Sequence, residues 1–552
     1  MFELLSRFKK ATPTCEMAEA MPLTQAIGYI RKAEKYSDRA KLYLHREAIS
    51  KQLGIIGNDL SQACVLDMGQ REAGLLLSEN AVGQDVHLRT REKILANGYE
   101  LKMENIATVA LISDLNNAIS RSGNDEKASD VKPLIDEILH DAILRSATDI
   151  HLICREKTAE FKFCIFDELI AYRFYEPSVC EQIAGYLFTV MADARSRSQN
   201  SFSLESNSLS YVILYKWRDK GFKLRVKQLK AANGWDVVIR LLPLGSYAEK
   251  KKTFADLGFE ASQIEQLNEI VACKIGIMAI TGPTGSGKSS TLKAALDGDP
   301  NKKRKKRYSI EDPVEYEIED MTQISIQRDD HKESVSSFSG ALKDLLRAAP
   351  KDIMVGEIRD ADTARLTADA VLTGHKIFTT LHTNSAMGFY GRMNRLGIDR
   401  HTLADKQFVA AVSAQRLIAV LCEHCRKPAK ENLSSAQQTI LTERFGLKLD
   451  GIYVRHHDGC ECCEGGVVSQ TVVAEIIQPD DEMRELILNG RDNEAEKHWR
   501  RKRKARFDEP DMTGKTVLEH ALYKASQGLV DTQEIARIFG PLHLHEVIEG
   551  TS

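Results

Sequence analysis

The nonapeptide Gly282-Pro283-Thr284-Gly285-Ser286-Gly287-Lys288-Ser289-Ser290 constrains this chain more than any other segment. It fits the pattern G-x-x-x-x-G-K-[ST], and it follows the apolar run IGIMAIT. The residues after it, STLKAAL, have helical spacing. A buried strand, a glycine loop and a helix in that order belong to an α/β fold. The glycines let backbone N–H groups turn inward around a β-phosphate, at a helix N-terminus that favours anions. Lys288 places a point charge on the β- and γ-phosphates, and the Ser289 hydroxyl can ligate Mg²⁺. The loop therefore predicts ATP and Mg²⁺ binding by residues 282–290.

Several function classes are excluded by composition. The chain has 552 residues, enough for three or four domains at roughly 150 each. With 76 Lys+Arg against 79 Asp+Glu, its formal charge is −3, so bulk attraction to nucleic acid is not expected. No run reaches the 18 or so apolar residues of a membrane span. The start, MFELLSRFKK, lacks the apolar core and small-residue cleavage site of a secretory signal. Eleven cysteines, an odd number scattered over a long chain, fit a reducing compartment better than a disulfide framework. A cytosolic multidomain protein is the expectation.

Residues 1–125 read as mostly helical, from apolar spacing in MPLTQAIGYIRKAEKYSDRAKLYL and in LKMENIATVALISDLNNAI. Polar Ser120 to Asp130 reads as a linker. From about 130 to 245 a helix leads into alternating strand-like runs, with a hairpin turn expected at Asn233-Gly234. Beyond about Gly258, helices alternate with the short apolar runs IGIMAIT, RYSIE, IMVGEI and KIFTTLH. That alternation predicts a largely parallel sheet covered by helices. The basic runs KKRKKR (Lys302 to Arg307) and RRKRKARF (Arg500 to Phe507) read as solvated loops.

Hydrolysis needs acids near the phosphate loop and groups that orient water. KDIMVGEIRD ends an apolar strand in Gly356-Glu357, where a carboxylate can face a γ-phosphate. SIEDPVEY places three acids around a proline turn, and LTGHKIFTTLHTN puts His375 before and His382 after a short strand. Each alone has a bland structural reading. Their order behind the phosphate loop does not.

EDPVEY, VGEIRD and TGHKIFTTLHTN resemble the Asp box, Walker B and His box of the secretion and pilus assembly ATPases, over roughly residues 130 to 530. SATDIHL and Gln415-Arg416-Leu417 are similar to two further segments of that family. The resemblance implies a PAS-like α+β domain (130–245) linked to a RecA-like P-loop ATPase domain (246–552). It also implies a homo-hexameric ring, with arginines of the first domain reaching the phosphates; Arg225 and Arg240 stand where the family carries them. By the same resemblance Glu357 positions or deprotonates water, Glu311 lies near the metal and water, and His382 senses the γ-phosphate. The chain departs from the family at Ala349-Pro350-Lys351, where Asp-Pro-Asp is usual, at FKFCIFDE, which replaces an arginine-rich strand, and at Ser469-Gln470.

The cysteines sort by spacing. Cys422-x-x-Cys425 and Cys460-x-x-Cys463 have the layout of a four-thiolate Zn²⁺ site in an insertion at about 418–468. Cys462 could compete as ligand, and His424 reads as a bystander. The expected function is an ATP-hydrolysing hexameric motor for type IV pilus assembly or type II secretion. It would sit in the cytoplasm, peripheral to the inner membrane, with an inner-membrane platform protein as partner, and its N-terminal region would bind partners. A type IV secretion traffic ATPase and a nucleotide-gated scaffold with little turnover are the alternatives.

Overall fold

The computed structural model describes residues 49–112 (without 51, 52, 56, 70 and 110), 131–326 (without 219 and 245–250) and 334–550. The helix expected over 21–44 and the linker Ser120 to Asp130 lie outside the described residues. One compact unit takes residues up to Ile213 together with Arg225–Arg240; the other takes Leu214–Leu224 and Leu241 onward.

Within residues 49–112, the described part of the N-terminal region, a sheet stands where mostly helix is expected. Strands β1 (Ala63–Gly69), β2 (Glu72–Leu77) and β3 (Glu100–Ile106) form a sheet in that order. β1 and β2 are antiparallel, β2 and β3 parallel, and helix α1 (Asp85–Ala96) makes the crossover. Burial in β3 falls on Leu101, Met103 and Asn105, a period of two that no helix presents.

A six-stranded sheet follows helix α2 (Val131–Leu144). Its strands are β4 (Asp149–Arg155), β5 (Ala159–Ile165), β6 (Glu168–Tyr175), β7 (Ser208–Trp217), β8 (Lys220–Ala231) and β9 (Gly234–Leu244), with helix α3 (Pro177–Tyr186) after β6. The spatial order is β6-β5-β4-β9-β8-β7. Alternate residues are buried: Ile150, Leu152 and Cys154 on β4, Phe161, Phe163 and Ile165 on β5. The turn between β8 and β9 is Ala232-Asn233, one residue earlier than the Asn-Gly signal suggests. Gly234 instead opens β9 at φ +146°, where a Cβ would stand 2.1 Å from the Cys154 carbonyl of β4.

The second unit holds the α/β core. After helix α4 (Ala261–Ala272) come β10 (Gly276–Thr281), α5 (Lys288–Gly298), β11 (Arg307–Glu311), β12 (Thr322–Ser325) and α6 (Ser334–Leu346). Next are β13 (Asp352–Val355), α7 (Ala361–Leu372), β14 (Lys376–Leu381), α8 (Gly388–Arg395) and β15 (Val409–Leu421). The chain then leaves the sheet as a lobe with a two-residue ribbon, β16 (Lys427–Pro428) and β17 (Tyr453–Val454). It returns as β18 (Val467–Ile477), followed by α9 (Asp492–Arg501) and α10 (Val517–Ser526). The strand order is β12-β11-β13-β14-β10-β15-β18; every pairing is parallel except that of β18 with β15. All residues of β10 and β14 are buried, as two covered faces require. Ile277, Ala279, Ile353 and Val355 pack on one side with Phe338 and Leu342 of α6. Met278, Ile280 and Met354 pack on the other with Leu267 of α4 and Leu292 of α5.

The basic runs are not simply solvated. Lys305 bonds to buried Asp299 and Asp352 at 2.8 and 3.1 Å, and Arg307 is fully buried, donating to the Leu296 carbonyl at 2.8 Å. Arg500 is buried against Glu519 at 3.0 Å. These charges brace the fold from within.

Candidate functional site: a phosphate loop at the carboxyl edge of the sheet

In a parallel sheet a ligand crevice forms beyond the carboxyl ends of the strands, where the chain order reverses. Here that point is β10, flanked by β14 on one side and β15 on the other. The register sets Thr281 opposite Leu381 and Ala414. Residues 282 onward, His382 and Gln415 therefore emerge together at one edge. Ile310 pairs with Val355 and Val355 with Thr379, which brings Glu311 and Gly356-Glu357 to the same edge.

The loop is shaped by its glycines. At Gly282, φ is +149° and a Cβ would come 2.5 Å from both the Gln415 carbonyl and the Ser286 hydroxyl. Gly287 caps α5 in the left-handed region at φ +79°. Pro283, Thr284 and Gly285 are exposed, Ser286 and Lys288 buried, Ser289 and Ser290 half-buried. The Lys288 ammonium donates to the carbonyls of Gly282 (3.0 Å) and Pro283 (2.6 Å). Burial pulls its pKa down to about 8; nearby Arg416 adds to this, while Glu357 and Glu315 oppose it. A polyphosphate there would meet a buried cation that lacks a full countercharge.

Opposite the loop, the Glu357 carboxylate lies 3.2 Å from His382 Nε2 and accepts from Arg359 Nε at 2.8 Å. Arg359 also stands 3.7 Å from Asp312. Gly356 passes so close to β11 that a Cβ would sit 3.1 Å from the Ile310 carbonyl. Thr380 Oγ1 donates to the Gly356 carbonyl at 2.7 Å, fixing the turn that aims Glu357. Glu311 is buried, and burial raises its pKa. Hydrogen bonds from Ser309 (2.6 Å) and Gln323 (2.9 Å) work against that shift. His375 lies at the other end of β14, with Nδ1 2.9 Å from the Ala370 carbonyl at the end of α7.

Two contributors carry no chemistry legible in sequence. Gln415 Nε2 donates to the Ser286 carbonyl at 2.7 Å and braces the phosphate loop from β15. Arg359 is the other, a cation held on Glu357. Arg225 and Arg240 lie in the first unit, on β8 and β9. Arg240 Nε donates to Asp149 at 2.9 Å, the Asp of the SATDIHL segment.

Cys422, Cys425, Cys460 and Cys463 converge, all four sulfurs within 4.8 Å of one another. The closer pairs are 3.7, 3.6 and 3.6 Å apart. A tetrahedron with Zn–S of about 2.3 Å has edges of about 3.8 Å, so the set fits Zn²⁺. Cys462 is exposed and, like His424, lies outside the four-sulfur cluster. Gly459 makes the second knuckle possible: a Cβ there would lie 2.8 Å from the Gly465 and Gly466 nitrogens.

Strand order, phosphate loop and acids at one edge define a RecA-like P-loop ATPase. The chain belongs to the type II/IV secretion system protein family, whose model matches residues 124–537. A type II secretion system protein E of Dickeya dadantii is 33% identical over 359 residues, 65% of this chain and 67% of that protein. That of Pseudomonas aeruginosa is 29% identical over 487 residues, 85% of this chain and 88% of that protein. The type IV pilus assembly ATPase PilB of Thermus thermophilus is 29% identical over 418 residues, 74% of this chain, and the match spans only 43% of that longer protein. Among solved structures, the Legionella pneumophila ATPase DotB shares the fold at 19% identity and a TM-score of 0.52, over 75% of this chain and 97% of that one. Among the described residues, no helix is long and apolar enough to cross a membrane.

Proposed function

We propose that this chain hydrolyses ATP as a homo-hexameric motor that drives type IV pilus assembly or type II secretion at the inner face of the membrane. The observation that carries the reading is the convergence at one sheet edge of the phosphate loop, Glu311 and the Glu357–His382 pair. Residues 282–290 would cradle the phosphates, with Lys288 on the β- and γ-oxygens. Glu357 would orient or deprotonate the attacking water, and His382, already against it, would register the γ-phosphate. Ser289 and Glu311 are the groups that would hold Mg²⁺ and its waters. Bound there, Mg²⁺ supplies neutralisation of developing phosphate charge. Arg225 and Arg240, from the PAS-like domain at about 130–245, would complete the site as charge-stabilising fingers. The RecA-like domain would begin at about 246, and residues 245–250 lie outside the described residues.

Zn²⁺ held by Cys422, Cys425, Cys460 and Cys463 would be structural, since four thiolates leave no open position. The relatives' names support a partner in a pilus or secretion machine, and an inner-membrane platform protein is the partner we propose. The N-terminal residues 1–125 would bind other components. If a ring completes the site, turnover depends on assembly. Native mass measurement with a non-hydrolysable ATP analogue should show six copies, and Arg240→Ala should keep the ring while losing turnover. A fully active monomer would overturn the proposal.

A further inference from the structure

Among the buried carboxylates outside the hydrolytic set, Glu475 is bonded to the loop that follows His382. Glu475 lies on β18 opposite Ala414 of β15. One of its oxygens accepts the Ala386 N–H at 2.7 Å and the other the Val517 N–H at 3.2 Å. Ala386 belongs to the loop that runs from His382 to α8, and Val517 is the first residue of α10. The same loop is held a second time from β15. Arg416 Nη2 donates to the Asn384 side-chain and main-chain oxygens at 3.3 and 3.4 Å. Gln415, the neighbour of Arg416, braces the phosphate loop. The β15–β18 pair thus grips both loops of the nucleotide edge.

We infer that Glu475 is a positioning residue for hydrolysis: by accepting the Ala386 N–H it fixes the loop that sets His382 against Glu357. The inference rests on the reading of this chain as an ATPase. A role confined to capping α10 explains less. That helix already has a reciprocal cap, Thr516 Oγ1 accepting from the Glu519 nitrogen and the Glu519 carboxylate from the Thr516 nitrogen. The bond to Ala386 is the shorter of the two that Glu475 makes. A fully buried carboxyl is retained only where it satisfies buried donors.

Burial raises the Glu475 pKa to about 7, and Glu496 of α9 and Glu519 of α10 push the same way; its two N–H donors and Arg416 of β15 oppose them. Only the carboxylate offers acceptors to both N–H groups without a proton of its own to place. The hold on the loop should therefore strengthen as pH rises through about 7 and weaken as pH falls through it.

Two variants separate positioning from capping. Glu475→Gln keeps the volume but turns an NH₂ toward a donor. Val517→Pro deletes the α10 N–H at a first helical position that tolerates proline, and it replaces the buried Val517 side chain with an apolar ring. Full-length variants should be compared for ATP affinity by equilibrium titration, for kcat per folded molecule, and for amide exchange at Ala386. Glu475→Gln should bind ATP within about twofold of wild type and lose about tenfold or more in kcat, the usual scale for a hydrogen bond to a charged group. Ala386 should exchange faster, and any acid limb of kcat near pH 7 should disappear. Val517→Pro should keep kcat within about twofold. Equal losses in both variants, or Glu475→Gln with near-normal kcat and Ala386 protection, would overturn the inference. A wild-type chain that releases no phosphate would instead sink the ATPase reading, while the Ala386 exchange result would still judge Glu475.

Discussion

Nucleotide binding should take up a proton through Lys288. In the free protein burial holds this ammonium to a pKa of about 8, below the usual lysine range. A triphosphate within reach of Nζ stabilises the cation and lifts the pKa back toward or above about 10.4. The sign follows: affinity is complete below pH 8 and declines as pH rises through it, because the neutral amine must first be protonated. With a pKa of about 8, roughly three-quarters of the lysine is neutral at pH 8.5, so binding should consume about 0.8 proton per ATP. By pH 9 the affinity should have fallen about tenfold, or about 1.4 kcal/mol. ATP itself does not confuse the reading, since phosphate groups finish ionising near pH 6. Calorimetric titration at pH 8.5 in two buffers of different ionisation heat measures the uptake directly. Lys288→Arg carries a charge that does not titrate here and should abolish it. Binding with no proton uptake by the wild-type chain, or the same uptake by Lys288→Arg, would refute this picture of a desolvated lysine awaiting an anion.

Other outcomes are expected. Gly282→Ala, whose Cβ would press to 2.5 Å on the Gln415 carbonyl and Ser286, should cost about 1–3 kcal/mol of stability and weaken ATP binding, as thermal melting and titration would read. Protein purified without added metal should hold about one zinc per chain by elemental analysis. Cys425→Ser should unfold the lobe between β15 and β18, seen as rapid amide exchange there, while ATP still binds. Cys462→Ser should leave the zinc content unchanged, because that thiol lies outside the four-sulfur cluster. Asp149→Asn should lower turnover while leaving ATP binding intact, because its bond to Arg240 orients the proposed finger; unchanged turnover would leave that pair a purely structural one.

The nucleotide edge was largely legible in the sequence because phosphate chemistry demands fixed residue types at fixed spacing. Gly282, Gly287 and Lys288 are dictated locally by one turn and one helix start, and Glu357 and His382 by strand ends. The paired C-x-x-C knuckles were equally local. What the sequence hid depends on partners far along the chain. Gln415 meets Ser286 across 129 positions, and Lys305 finds Asp352 across 47. Within the run that reads as solvated charge, Lys305 and Arg307 are therefore internal clamps, while Lys303, Arg304 and Lys306 are exposed. Glu475 looks like any acid beside a strand until β18 is paired. Near β3 the error was one of period: LKMENI has apolar residues that suit either repeat, and only the sheet partner β2 decides between them. The extra Asn-Gly at 233–234 misled by one residue because Gly234 answers to the β4 carbonyl of Cys154 and not to the turn.

The most direct test of the account is steady-state phosphate release by the Glu357→Gln chain, alongside its ATP affinity. ATP should still bind, since Lys288 and the glycine loop are untouched, while turnover should fall by at least about a hundredfold, the scale of losing a general base. Near-normal phosphate release from Glu357→Gln would contradict it.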